Sequence, residues 1–284
     1  MKPSTFKEYR SSLTKHLLPF FSDTYIDEIT PANIKKFVAS MELSDKRIRN
    51  IMVPFKIQMR EALENRLIEE DPTQFIRLRR GRPQEIDPLG FDEVESFLEK
   101  VDSAYRNYFE VAFFTGMRPN EQIALKWGAI DFAKRQIRIS EGRVLGQESG
   151  PKTLSSIRDI DMLPPVEVAL KKQKANSMLR GSYVFCNKAG GPLEVNNLRK
   201  RVWYRALRKA GLRQRTMYQT RHTFATLMLS SGENPNWVAA MLGHSSPSTL
   251  FKHYNRFIPN LTRQDGSAFM AMFENQCQTR EGTS

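Results

Sequence analysis

Apolar residues recur at helical spacing through residues 1–80, while short alternating segments enter only beyond residue 130. Thr5 and Glu8 fit a capping box at the start of a first helix. Thr30-Pro31 reads as an N-cap followed by Pro at N1, opening a helix through Ile34, Phe37 and Val38. Ser44 can cap a third helix carrying Ile48, Ile51 and Met52, and Pro54 should kink or break it. The pattern resumes with Ile57, Ala62, Leu63 and Leu67 and stops near Asp71-Pro72. A four- or five-helix bundle follows. The basic stretch from Arg77 to Pro88 contains Gly81 and Pro83 and reads as an exposed linker. It divides the chain into residues 1–82 and 83–284.

The second part is mixed. A helix starts at Phe91 or Asp92, and an apolar one runs from Tyr105 to Thr115 and ends at Gly116, a suitable C′ residue. Glu121 to Trp127 reads as a short helix. Residues 136–140 and 156–161 alternate as half-buried strands, with Gly150-Pro151-Lys152 in the turn region between them. Pro165 opens another helix, and Tyr183 to Cys186 is a short strand. Asn196 to Ala210 is a helix with Leu198, Val202, Leu207 and Ala210 roughly on one face; Arg199, Lys200, Arg201, Arg205, Arg208 and Lys209 crowd the rest. Beyond Thr220 the chain reads as successive short helices. The expected fold is mainly α with a small β-sheet: an N-terminal helical domain and a mixed α+β domain.

Charge changes this picture most. The 284 residues hold 44 Lys plus Arg against 31 Asp plus Glu, a net of +13, with both parts basic. Such an excess suits a polyanion, and nucleic acid before membrane, since no basic amphipathic tail or lipidation motif appears. No stretch approaches a membrane span and no signal peptide is visible. Cys186 and Cys277 are too few for a disulfide framework or a zinc cluster, so a reducing cytosol is the simplest setting. There is no P-loop, GxGxxG or HExxH.

Four segments carry the chemistry: Thr115-Gly-Met-Arg118-Pro-Asn-Glu121, Gly150-Pro-Lys152-Thr153, Tyr218-Gln-Thr-Arg221-His222, and Leu242-Gly-His244 followed by Tyr254. Each alone is commonplace; their order and spacing together are specific. The set resembles the tyrosine recombinase, or phage integrase, family over most of residues 88–262. The family's Gly-x-Arg-x-x-Glu segment is matched by Gly116, Arg118 and Glu121, and its β-hairpin lysine by Lys152. Its box arginine, Leu-Gly-His segment and tyrosine nucleophile are matched by Arg221, His244 and Tyr254. One position departs: the box begins with Tyr218 rather than His or Lys. His222 reads as a packing or helix-start residue, His253 points elsewhere, and Trp203 and Trp237 read as core. The helices before residue 80 are similar to the family's core-binding domain.

The resemblance implies a site-specific DNA recombinase working through a 3′-phosphotyrosyl intermediate and a Holliday junction, with neither ATP, metal nor other cofactor. Arg118 and Arg221 would grip phosphate oxygens, with Glu121 orienting Arg118. Lys152 would protonate the leaving 5′-oxygen, and His244 and Tyr218 would donate to the phosphate. Nearby cations should favour the Tyr254 phenolate. Arg199, Lys200, Arg201 and Arg205 are candidate DNA contacts. The implied partners are double-stranded DNA with paired core-type attachment sites, embraced by the two domains, and three further copies forming a homotetramer. A host bending protein and a directionality factor can join them, in the nucleoid of a prokaryotic cytoplasm. Integration or excision of a phage or genomic island is the expected role. The sequence leaves no room for an arm-binding domain ahead of the first helix, so this is a simple recombinase or a chain begun after such a domain. Phe269, Met270, Met272 and Phe273 could dock a tail helix on a neighbour or on their own domain. A type IB topoisomerase-like enzyme and a non-catalytic DNA-binding protein on the same scaffold remain alternatives.

Overall fold

The computed structural model describes residues 1, 3–81, 85–144, 146–149, 157–244, 246–258 and 270. The chain divides into two compact units, Met1–Glu85 and Ile86–Ser284. The expectations for Pro83, for Gly150 to Thr153 and for the tail at Phe269, Met272 and Phe273 lie outside the described residues.

In the first unit α1 (Pro3–Ser12), a π-helical turn (Leu13–Leu17) and α2 (Leu18–Phe21) follow one another without a break. The helix already begins at Pro3, so Thr5 lies inside its first turn rather than at a capping box. A proline suits that start because it lacks the N–H a first helical residue cannot pair. In α3 (Pro31–Ser40) the Thr30 hydroxyl accepts the Asn33 N–H at 3.2 Å. Ser44 caps α4 (Asp45–Glu64) through the Arg47 N–H at 3.4 Å.

Pro54 sits inside α4 without breaking it. An interior proline costs about 3 kcal/mol. Its neighbours Ile51, Met52 and Phe55 are buried in the unit's core, each contributing about 1.5–3 kcal/mol, so packing outweighs the lost hydrogen bond. The helix ends at Glu64, earlier than the apolar spacing suggests. Arg66 takes the left-handed conformation (φ 58°), and the Leu67 N–H reaches back to the Ala62 carbonyl at 2.8 Å. Around Phe21, Phe37 and Phe55 the aromatic rings pack at 5.3 Å centroid separations.

The second unit opens with α5 (Phe91–Lys100) and α6 (Ser103–Thr115), whose Phe97, Phe109 and Phe113 surround the fully buried Trp203. Trp203 Nε1–H donates to the Arg215 carbonyl at 2.7 Å, so this indole is core. After α7 (Pro119–Gln122) a three-stranded antiparallel sheet is formed by β1 (Ile130–Asp131), β2 (Gln136–Ile139) and β5 (Arg158–Asp161), in the order β1-β2-β5. Ile137 faces Ile160 across the ladder and both are fully buried, as the alternation requires. A separate hairpin, β3 (Gly142–Val144) with β4 (Gln147–Ser149), lies between β2 and β5.

Two predicted elements dissolve for one shared reason. The Trp127 N–H donates to Ser182 and the Val184 N–H to Leu125, both at 2.9 Å. These bonds pin residues 182–184 to the loop after α7. They shorten the helix expected over Glu121–Trp127 and leave the strand expected at Tyr183–Cys186 as two isolated bridges. The rest is helical: α8 (Pro164–Ser177), the run α9 (Val195–Asn197), π-turn (Leu198–Trp203) and α10 (Tyr204–Lys209), then α11 (Gln219–Ser230), α12 (Pro235–Leu242) and α13 (Pro247–Tyr254). No described helix is long and apolar enough to cross a membrane.

Candidate active site

Two left-handed glycines set the frame. Gly116 (φ 65°) ends α6 and turns the chain into α7, putting Arg118 at the helix N-cap. Gly243 (φ 65°) ends α12, and the next residue is His244. Neither position has room for a side chain: an added Cβ would meet Phe224 at 2.6 Å and Leu242 at 2.8 Å at Gly116, or Arg158 at 2.9 Å at Gly243.

Glu121 sits at N3 of α7 and holds two guanidiniums. Its carboxylate accepts the Arg118 backbone N–H at 2.9 Å and Arg118 Nη1–H at 2.7 Å. It also accepts Arg158 Nη2–H at 2.9 Å and Nη1–H at 3.3 Å. Arg158 is buried, and its Nε–H donates to the Met241 carbonyl at 2.8 Å, tying β5 to the end of α12. Burial raises the Glu121 carboxyl's pKa, but Arg158 first and Arg118 second outweigh it, and the net shift is downward. Burial likewise opposes the charge on Arg118, while Glu121 and the Tyr218 phenol raise its pKa overall.

Arg221, from the first turn of α11, is almost wholly buried. Nη1–H donates to the Gly116 carbonyl at 2.8 Å and Nη2–H to the Leu242 carbonyl at 2.6 Å. These carbonyls aim the guanidinium without neutralising it. Burial and the neighbouring Arg118 push its pKa down to about 10, so it stays cationic at neutral pH. Among the described residues, the buried His244 Nδ1 has no hydrogen-bond partner. Burial, then Arg221 and Arg118, lower its pKa to about 4, leaving a neutral imidazole in a cationic pocket. The ring thus lies within electrostatic range of two guanidiniums, an arrangement suited to holding an anion.

Tyr254 closes α13 and is buried. Its hydroxyl lies 2.6 Å from Nδ1 of His222, which stands on α11 next to Arg221. The expected phenolate does not form here. Burial raises the Tyr254 pKa to about 12, and Arg221 only partly counters it. Tyr218, at the start of α11, is about two-fifths exposed, with its ring 5.2 Å from that of His222.

The structure thus gathers Arg118, Glu121, Tyr218, Arg221, His244 and Tyr254 from three of the four segments. Lys152 lies outside the described residues. In the basic run Lys200, Arg201 and Arg205 are exposed and Arg199 is half-buried. Among the described residues none of the four shares a hydrogen bond or ion pair with the cluster. Sequence reasoning missed Arg158 and placed His222 among packing residues. Position next to Arg221 was the one available hint for His222; for Arg158 the hint was the alternation, which places it on the same face as the buried Ile160. His253 is exposed, yet it does not point wholly elsewhere, since it acts electrostatically on His222 and His244; Trp237 Nε1–H donates to Asp161 at 2.7 Å.

Comparison with known proteins adds independent findings. The model of the phage integrase family matches residues 88–259, and that of the phage integrase N-terminal SAM-like domain matches residues 1–41. Prophage integrase IntR of Escherichia coli K12 is 29% identical over 229 residues, covering 72% of this chain and 55% of IntR. The chain spans about half the length of the first curated relatives it matches. A structure of the Tn1549 transposon integrase in complex with a circular intermediate DNA superposes with a TM-score of 0.76 at 21% identity, covering 97% of this chain and 94% of that one. A lambda integrase tetramer bound to a Holliday junction gives 0.72 at 18% identity, covering 93% and 74%.

Proposed function

The chain belongs to the phage integrase family, and from that premise we propose that it is a site-specific DNA recombinase that cleaves and rejoins DNA through a 3′-phosphotyrosyl link on Tyr254. The observation that carries the reading is the convergence of Arg118, Arg221 and His244, close enough to act on one another electrostatically, with Arg221 acting likewise on the buried Tyr254. A phosphodiester carries one negative charge and gains more in its transition state. Two guanidiniums with fixed orientation stabilise that added charge without reorganising, and one such donor contributes about 2.7–4 kcal/mol. Glu121 holds Arg118 in place. His244 and Tyr218 donate hydrogen bonds to the phosphate oxygens, which requires His244 to present an N–H. Lys152, assigned by its match to the family's hairpin lysine, protonates the departing 5′-oxygen. The phosphotyrosyl link conserves the energy of the broken bond, so rejoining needs only the attack of a 5′-hydroxyl.

The helices of the first unit are the core-type DNA-binding domain in this reading. Four copies bring two attachment sites together and exchange strands in pairs; a lambda integrase tetramer bound to a Holliday junction, similar in fold, supports a fourfold assembly. A bending protein and a directionality factor complete the reaction in a prokaryotic cytoplasm, at the nucleoid. Lys200, Arg201 and Arg205 serve phosphates rather than bases.

A plasmid carrying two copies of the DNA that flanks the gene tests this reading. Recombinant circles from the wild type, and none from Tyr254→Phe, are the expected result. Relaxed plasmid with no exchanged strands would instead indicate a topoisomerase-like enzyme. Binding alone would indicate a non-catalytic protein.

A further inference from the structure

The box that ends in Arg221 begins with Tyr218, so this chain lacks an imidazole at that position. One helical turn further on, His222 provides one, and residues four apart lie on the same helix face. The His222 ring stands between two phenols, 5.2 Å from the Tyr218 ring and 5.7 Å from the Tyr254 ring. Its Nδ1 is 2.6 Å from the Tyr254 hydroxyl, within the reach a general base needs. No other hydrogen bond from Tyr254's hydroxyl is found among the described residues.

Resting on the recombinase reading, we propose that His222 is a catalytic residue, the proton acceptor for Tyr254. It supplies from the next turn of α11 the imidazole that position 218 does not carry. In cleavage, Tyr254 Oη bonds to phosphorus while the bond from phosphorus to the 5′-oxygen breaks. The phenol proton passes to His222 Nδ1, giving an imidazolium, and the 5′-oxygen takes its proton from the general acid of that reaction. Rejoining reverses each transfer: the 5′-hydroxyl attacks phosphorus, the Tyr254–phosphorus bond breaks, and His222 returns the proton.

The surroundings fit this role and add a condition. The charged and titratable groups facing His222 are Arg221 on its own helix, Tyr218 just before it, and His253 and Tyr254 on α13. Burial, then Arg221 and His253, keep the His222 pKa down at about 4, so the ring is neutral and has a bare nitrogen for the phenol O–H. With Tyr254 near 12, the proton does not move in the DNA-free protein. It moves only as the new bond forms, when the docked phosphate offsets the two arginines and favours an imidazolium. Away from DNA, burial keeps the nucleophile protonated.

Single-turnover cleavage of nicked duplexes built from the DNA flanking the gene tests the assignment in the full chain. His222→Asn keeps an oxygen near the Nδ1 position but cannot take the proton. It should bind DNA and melt like the wild type, yet cleave about 10²–10⁴-fold more slowly. The defect should persist on a substrate with a sulfur in place of the leaving 5′-oxygen, whose departure needs no proton. Added imidazole should restore His222→Ala. Several results overturn the proposal: a wild-type rate in His222→Asn, rescue of His222→Asn by the sulfur substrate, or faster cleavage by His222→Ala, which would make the contact a latch. A variant impaired only in folding or DNA binding overturns it too. If the wild type itself forms no adduct, the recombinase reading fails and this inference fails with it.

Discussion

Replacing Glu121 by Ala tests how the arginine pair is held. The carboxylate is the shared counter-charge of Arg118, about one-third exposed, and of Arg158, whose side chain is only 7% exposed. Arg118 can turn to water when Glu121 is removed. Arg158 cannot, because β5 and the end of α12 enclose it and its Nε–H is committed to Met241. Removing one member of a buried pair costs about 3–5 kcal/mol. For a unit of this size, that lowers Tm by about 6–20 °C. All three tryptophans, Trp127, Trp203 and Trp237, lie in the second unit, so their fluorescence during urea unfolding reads that unit alone. Adding Arg158→Met should recover much of the loss, since the buried charge that Glu121 balanced goes with it. Covalent adduct formation should not recover, because Arg118 still lacks its anchor. A Glu121→Ala loss under about 1 kcal/mol, or a double variant no more stable than the single one, would refute the reasoning.

Other outcomes follow from the same geometry. Gly116→Ala should destabilise the second unit by about 2–5 kcal/mol, through its left-handed backbone and the clash with Phe224, measured by the urea midpoint. His222 and His244 both titrate near 4 in the fold against the usual 6.5, so between those values the unfolded chain binds more protons. Stability is therefore full above pH 6.5 and falls as pH drops toward 4, and His222→Asn/His244→Asn should flatten that slope in pH-dependent melts. Phosphate docking reverses part of the His244 shift, so calorimetry in buffers of different ionisation enthalpy should detect proton uptake on binding DNA. Lys200→Ala/Arg201→Ala/Arg205→Ala should reduce the slope of log K against log salt by about 0.9 for each phosphate left without its cation, with sequence preference unchanged.

Spacing made the candidate set legible because the motif is carried by chain-local groups. Gly116 with Arg118 and Glu121, or Gly243 with His244, each occupy one helix end, and their backbone needs are written in adjacent residues. Ile137 and Ile160 were legible as strand for the same reason: alternation is local. What stayed hidden depends on packing across the fold. Arg158 shares the inward face of β5 with Ile160, but the partners that accept its charge, Glu121 and the end of α12, meet it only in the folded unit. The strand expected at residues 183–186 fails because its backbone pairs with the loop after α7. Pro54 argues locally against a helix that the unit's core nevertheless sustains. Tyr254 shows the same limit in electrostatics: nearby cations suggest a phenolate, but burial wins, and only the folded environment ranks the two.

The central claim is that Tyr254 attacks a phosphodiester, and covalent trapping tests it most directly. The protein is incubated with nicked duplexes from the DNA flanking its gene, the adduct is digested, and mass spectrometry identifies the linked residue and the DNA end. The account predicts a 3′-phosphoryl link to Tyr254, a free 5′-hydroxyl, and no adduct from Tyr254→Phe. A link to any other residue, a 5′-phosphoryl link, or an adduct that survives Tyr254→Phe would contradict it.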